Sequence, residues 1–261
     1  MTMKYVENAK VISQKEISPG IFDLCLQTEN IAKEARPGQF VSVYTNDRSR
    51  LLPRPISICE ADAGSGILRL VYRVTGKETG TEEFSRTEEG SFLRIEGPLG
   101  NGFEPDVAES ETVMLVGGGI GIPPLLETAK RLKAKCRIVL GYRDDSLFLK
   151  EEFERYGQVY IATEDGSVET RGNVLDAIRG KDIKADRIYA CGPKPMLRAL
   201  AAYAEEKNIP CYVSMEERMA CGIGACLACV CASREKDAHT NVHNKRICKE
   251  GPVFLSTEVE L

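Results

Sequence analysis

Four of the ten cysteines fall within eleven residues, at Cys221, Cys226, Cys229 and Cys231, and Cys248 follows after a polar excursion. No other stretch limits the fold so strongly, because a loop this dense in thiols must turn several of them inward together. Thiolates spaced C-x4-C-x2-C with a distant fourth form the plant-type ligand set of a [2Fe–2S] cluster. Gly222, Gly224, Ala225 and Ala228 lie between the cysteines, and residues this small let backbone N–H groups approach the cluster's sulfides.

Two other chemistries compete for the same thiols. A disulfide knot fits poorly, since the remaining cysteines are scattered singly and the first ten residues are polar, without the apolar core of an export signal. Zinc is the stronger rival, because Cys226-x2-Cys229 followed by His239-x3-His243 has the outline of a two-Cys, two-His finger. Only nine residues separate Cys229 from His239, short of the usual ~12, and the run 233–237 between them has no apolar anchor. Cys231 is a spare thiol that spacing alone does not exclude as a ligand.

A chain of 261 residues with 43% hydrophobic and 28% charged side chains suits about two globular domains with real cores. A net charge of −4 argues against a nucleic-acid partner, which calls for a basic face. The uncharged run 112–126 is shorter than a membrane span and carries four glycines and two prolines, so no membrane association is expected. A cytoplasmic location follows, where thiols stay reduced and available to metal.

Residues 1–105 read as β. Short apolar or alternating runs at 21–26, 40–44, 56–59, 67–74 and 92–95 are separated by glycine- and proline-rich turns, predicting a small six-stranded antiparallel barrel or sandwich. Residues 106–215 change pattern. Strands at 112–116, 137–140, 159–162, 187–190 and 211–215 alternate with helices at 123–133, 147–156, 174–179 and 195–207. That alternation predicts a doubly wound, five-stranded parallel sheet. Residues 216–261 form a loop-rich tail whose own core is too small to fold, leaving metal ligation to hold it.

Two glycine–proline turns follow sheet strands. Gly117, Gly118, Gly119 and Gly121 close the first, and Cys191, Gly192 and Pro193 close the fourth. Such turns at the carboxyl edge permit close approach of a phosphate, although the first departs from G-x-G-x-x-G by placing Pro124 at the third glycine position. Each could equally be a structural turn, and Cys191 a buried core thiol. In the β-region, Arg54-Pro55-Ile56-Ser57 joins a cation to a hydroxyl, and Val71-Tyr72-Arg73 joins an aromatic to a second cation. Arg suits a pyrophosphate and Tyr suits a flat ring or a ribose; taken alone, either stretch reads as surface strand.

The order of these features resembles the ferredoxin–NADP reductase superfamily: a barrel with Arg-Pro-x-Ser, then a sheet with Gly-Gly-Gly-x-Gly and Cys-Gly-Pro, then clustered cysteines. More narrowly, 54–57, 117–124, 191–197, the run 215–226 and Gly251-Pro252-Val253-Phe254 are similar to the electron-transfer subunits of dihydroorotate dehydrogenase B. The resemblance implies FAD in the barrel at Arg54, Pro55, Ile56, Ser57, Val71, Tyr72, Arg73, Gly80 and Thr81. It implies NAD at the sheet, and a [2Fe–2S] cluster on Cys221, Cys226, Cys229 and Cys248. It also implies an FMN-containing catalytic partner in a two-plus-two heterotetramer that oxidises dihydroorotate for pyrimidine synthesis. A base for that substrate is not recognisable in this chain, so no residue here is assigned a catalytic role. Ser57 is the expected hydrogen-bond partner of the reactive flavin nitrogen, and Ile223, Leu227 and Val230 form an apolar rim suited to the partner. NAD is favoured over NADP because Asp144 and Asp145 would repel a 2′-phosphate, though Arg143 would attract one. The alternatives are a ferredoxin–NAD(P) reductase or hydrogenase-type diaphorase subunit and, in another class, a zinc-bearing regulatory binding protein.

Overall fold

A computed structural model describes residues 3–47, 49–236 and 241–261, so His239 of the zinc alternative lies outside the described residues. The first unit contains β1 (Tyr5–Ser18), β2 (Ile21–Gln27), α1 (Ile31–Glu34), β3 (Phe40–Val43), β4 (Arg54–Asp62), β5 (Ile67–Arg73), α2 (Gly80–Ser85) and β6 (Phe92–Leu99). Its strands close into an antiparallel barrel in the order β1-β2-β5-β4-β3-β6. Alternation sets the faces: Leu93 and Ile95 point into the core while Phe92 and Arg94 face out. The longest strand, β1, was not among the runs expected from sequence. Only Ala9 and Val11 on it are fully buried, so its apolar period is faint, and a register shift between Val11 and Ser13 bends it around the barrel.

The second unit contains β7 (Thr112–Gly118), α3 (Pro124–Arg131), β8 (Lys135–Tyr142), α4 (Lys150–Phe153), β9 (Gln158–Thr163), β10 (Thr170–Arg171), α5 (Val174–Gly180), β11 (Arg187–Cys191), α6 (Lys194–Lys207) and β12 (Cys211–Ser214). Its five long strands are parallel in the order β9-β8-β7-β11-β12, which places the topological switch point between β7 and β11. Met114 and Val116 pack on one face of the sheet and Val113 and Leu115 on the other, which is why β7 reads as an unbroken apolar run. The helix expected over 147–156 shortens to α4, because Leu149 takes a left-handed backbone at its start.

The tail contributes β13 (Val230–Ala232), β14 (Asn244–Arg246) and β15 (Val253–Leu255). The sheet is therefore wider than five strands: β10 extends one edge, and β15 pairs antiparallel with β12 at the other. Cys229, Cys231, Ile247, Cys248 and Phe254 share one core with Leu197, Leu200 and Val213 of the sheet. Packing against the sheet, and not metal ligation alone, thus holds the tail. No helix among the described residues is long and apolar enough to cross a membrane.

Candidate functional site

The 221–226 loop turns through two left-handed glycines, Gly222 at φ +68 and Gly224 at φ +88. A side chain on Gly224 would run into Lys249, and one on Gly222 would meet Ser42 Oγ at 2.9 Å. The turn aims backbone donors at sulfur, with Ala225 N 3.3 Å from Cys221 Sγ. Burial works against ionisation of Cys221. Even so, the N–H groups of Ile223, Cys226 and Ala225, together with the Cys226 thiol, bring it down to about 6. Cys248 behaves oppositely: burial and the neighbouring Cys229 thiol push it up to about 12. Its own N–H lies 3.4 Å from Cys229 Sγ.

Cys226 is the thiol that acts most on Cys221, and Cys229 the one that acts most on Cys248, which also feels Cys221 more weakly. Among the described residues no three His, Cys, Asp or Glu side chains converge to hold a single ion. Two irons sharing two sulfides need two thiolates each, so paired thiols with sulfur-directed N–H groups fit that donor set. Cys231 sits apart on β13, its Sγ 3.5 Å from the Lys245 carbonyl. Cys226 is exposed at the tip, flanked by Ile223 and Leu227, which are 43% and 47% exposed.

On the barrel, 54–57 opens β4, and Arg54, Pro55, Ile56 and Ser57 pair in register with Val43, Ser42, Val41 and Phe40 of β3. The Arg54 side chain crosses Gly80, where a Cβ would come within 2.9 Å of Arg54 Nε. Gly80 begins α2, whose first turn is capped by Thr79 Oγ1 accepting from Glu82 N. A guanidinium laid over the glycine of a helix start is a cradle suited to a pyrophosphate. Thr81 is turned inward, and its hydroxyl accepts from Thr75 N at 3.0 Å, fastening the loop before α2.

The Tyr72 ring corrects one expectation. It is 2% exposed, stacked on Phe22 and edge-on to Phe84, and its hydroxyl lies 3.0 Å from Gln14 Oε1. Burial pushes its phenol well above the ordinary range. Inside the barrel it has no free face for a planar ligand, so Val71 and Tyr72 offer backbone only. Arg73, the next residue, is exposed at the cleft.

That cleft, about 560 Å³, runs between barrel and sheet and is lined by Arg73, Gly118, Gly119, Arg143, Asp144 and Pro193. The two glycine–proline turns meet here across the switch point. A Cβ on Gly121 would collide with the Cys191 carbonyl, and one on Gly118 would lie 2.6 Å from Met196 Sδ. Gly119, at φ +54, faces Arg73 Nη2 of the barrel. Cys191 supplies backbone to this contact. Its thiol is buried, and burial, with Glu216 adding, pushes it up to about 12. The residues present suit a dinucleotide: glycine backbone at the phosphates, cations close by, and strands ending at the cleft.

Residues 216–260 match the family model described as the iron–sulfur cluster binding domain of dihydroorotate dehydrogenase B, and 8–103 match the oxidoreductase FAD-binding domain. A curated relative from Fusobacterium nucleatum subsp. nucleatum, named dihydroorotate dehydrogenase B (NAD(+)), electron transfer subunit, is 40% identical over 98% of this chain and 99% of its own length. A relative of the same name from Bacillus mycoides is 42% identical over 99% of this chain and 100% of its own. The chain belongs to the family of dihydroorotate dehydrogenase B electron transfer subunits. A solved structure of an NADH-dependent reduced ferredoxin–NADP oxidoreductase, studied for flavin-based electron bifurcation, superposes with a TM-score of 0.86 at 30% identity. It covers 97% of this chain and 90% of its own.

Within this family fold, sequence reading missed the residues that join the three parts. Asn101, just beyond β6, donates its side-chain amide to the Lys249 and Glu250 carbonyls, both at 3.1 Å, and its N–H to Gly251 O at 2.6 Å. Ser42 on β3 abuts Gly222 of the cysteine loop. Arg69 on the barrel reaches Glu152 on α4. A Gly-Asn turn signal marks Gly100–Asn101, but nothing local announces its partners, which lie about 150 residues away.

Proposed function

We propose that this chain is the electron-transfer subunit of an NAD-dependent dihydroorotate dehydrogenase, acting in the cytoplasm in pyrimidine synthesis. It would work as a flavin unit over 1–105, a nucleotide unit over 106–215 and a cluster unit over 216–261. The partner is an FMN-containing catalytic subunit in a two-plus-two assembly, and proton abstraction from dihydroorotate belongs to that subunit. When bound, FAD supplies the exchange between two-electron hydride chemistry and the one-electron chemistry of a [2Fe–2S] centre.

The observation that carries this reading is the position of the Arg54–Ser57 strand between the other two sites. On one side, Gly222 of the cysteine loop packs on Ser42, the register partner of Pro55. On the other, Arg73 of the adjoining strand faces Gly119 of the nucleotide turn. Arg54 and the first turn of α2 would hold the FAD pyrophosphate, and the Ser57 hydroxyl would steady the reactive edge of the ring. Gly117, Gly118, Gly119 and Gly121 with Gly192 and Pro193 would let the NAD phosphates approach backbone. Cys221, Cys226, Cys229 and Cys248 would ligate the cluster, and the exposed Ile223, Cys226 and Leu227 would meet the partner.

The test is co-expression with a candidate FMN subunit and measurement of dihydroorotate-driven NAD reduction. Copurification in equal amounts with activity is the expected result. Failure to copurify or to reduce NAD, with both chains carrying their cofactors, overturns the dihydroorotate assignment. The likeness to the ferredoxin–NADP oxidoreductase favours a second reading, in which the same chain serves reduced ferredoxin. Ferredoxin-dependent NAD(P) reduction without dihydroorotate would select it. Zinc in place of iron, or no flavin, would remove both.

A further inference from the structure

The cysteine loop is held from behind by a charged pair that lies outside the set of thiols, Arg246 with Glu250. Arg246 donates from Nη1 to the carbonyl of Gly224 at 3.0 Å, at the apex of the loop between Cys221 and Cys226. Its other edge is gripped by Glu250: Nε reaches Oε2 at 3.0 Å, Nη2 bonds Oε1, and the Arg246 N–H reaches Oε2 at 2.7 Å. The pair is largely shielded from water, with side-chain exposures of 14% and 27%. Arg246 lies two residues before Cys248, so one guanidinium ties the first ligand loop to the segment that carries the fourth ligand.

We infer that Arg246 and Glu250 are positioning residues for the iron–sulfur centre, bracing the 221–226 loop and setting the reduction potential through their opposed charges. The inference rests on the cluster reading above. Two physical arguments support it. A bidentate Arg–carboxylate pair is geometrically rigid, so the Gly224 carbonyl is held by a fixed donor and not by a swinging side chain. Charge close to a cluster is one of the levers on its potential, and reduction adds one negative charge. Arg246 therefore favours the reduced state and Glu250 opposes it, leaving the native pair near balance.

Opposed charges yield opposed shifts, which a merely mechanical brace would not. The experiment is a redox titration of the full-length chain, followed by electron paramagnetic resonance, for the native protein and three variants. Arg246→Gln is expected to lower the midpoint and Glu250→Gln to raise it. Each shift is on the order of a tenfold change in the reduced-to-oxidised ratio at fixed poise, ~59 mV for one electron. Arg246→Lys keeps the charge but cannot hold both Glu250 and Gly224 in the same fork. It is expected to keep the midpoint while losing iron to a chelator severalfold faster. Shifts of the same sign, or no shift in either glutamine variant, overturn the inference. If Arg246→Gln retains no cluster, Glu250→Gln decides alone: a rise supports the inference and an unchanged or lowered midpoint overturns it. A native chain without any iron–sulfur signal would defeat the cluster reading itself, a result distinct from unmoved variants in a loaded protein.

Discussion

Arg69 on barrel strand β5 and Glu152 on α4 of the sheet are joined by a two-pronged ion pair, with Nη1–Oε2 at 2.6 Å and Nη2–Oε1 at 2.9 Å. The same guanidinium also serves Asp23 and Glu60, so three carboxylates converge on one cation at the domain boundary. Burial alone would weaken its hold on the proton, but Glu152 and Asp23 reverse that and keep it firmly charged. Glu127, buried on α3, adds a second clasp by accepting from Ala61 N of the barrel.

Arg69→Met takes the shared counter-ion from Asp23 and Glu152 and leaves Glu60 its longer ion pair with Lys130, at 3.4 Å. The expected cost is on the order of 2 kcal/mol in chemical denaturation. NADH-driven flavin reduction is also expected to slow, because the two walls of the cleft lose their fixed relation. Unchanged stability together with an unchanged reduction rate would show that the apolar interface alone orients the units.

Gly121 packs its Cα on the Cys191–Gly192 peptide, so Gly121→Ala must drive the two turns apart. A displacement near 1 Å at a site that depends on alignment costs about a hundredfold in rate. Stopped-flow mixing with NADH should reveal that loss, while FAD and cluster absorbance stay at native levels. A native rate would mean that the turns do not jointly form the nucleotide site.

The paired thiols separate ligand from bystander. Cys226→Ser is expected to abolish the iron–sulfur absorbance, and Cys231→Ser to retain it, because the Cys231 thiol is turned toward the Lys245 carbonyl. Iron analysis and visible spectra of both variants check this. Bleaching in Cys231→Ser would reassign the ligand set.

Much of this was legible in the chain because local chemistry announces itself. The glycine–proline turns, Arg54–Ser57 and the cysteine spacing each carry a signal within about ten residues. What stayed hidden depends on which partner the fold brings. Tyr72 reads as a ligand-stacking aromatic until β5 turns it into the barrel. The stretch Tyr5–Ser18 lies in the region that reads as β but shows no strand run of its own, and it becomes a strand because its neighbours β2 and β6 pair with both of its edges. Residues 253–255 are too short to be read as a strand without β12 beside them.

The cleft chemistry bears on nucleotide choice. Arg143 and Asp144, just beyond the end of β8, and Glu164, just beyond the end of β9, line it together. Setting like charges against each other costs several kcal/mol, and each 1.4 kcal/mol is about tenfold. NADH should therefore outpace NADPH by more than about tenfold in steady-state flavin reduction, and Asp144→Asn should narrow the gap. Preference for NADPH in the native protein would assign the dominant role to Arg143.

Asn101 tests how the tail is seated. Its amide spans the Lys249 and Glu250 carbonyls, and Gly100 beside it packs against Pro252, so the barrel's last turn grips the segment that follows Cys248. Asn101→Ala leaves two carbonyls without that donor, a loss of about 1–2 kcal/mol localised at the tail. FAD content should be unchanged, because 54–57 lies on β4 and the helix α2 is a separate element, neither of them bonded by Asn101. Iron release to a chelator should accelerate by about tenfold, since 1.4 kcal/mol of local stability is that factor in the open population. Were iron release unaffected, the β15–β12 pairing and the shared core beneath Cys229 and Cys248 would suffice to seat the cluster segment, and the Asn101 clamp would be redundant.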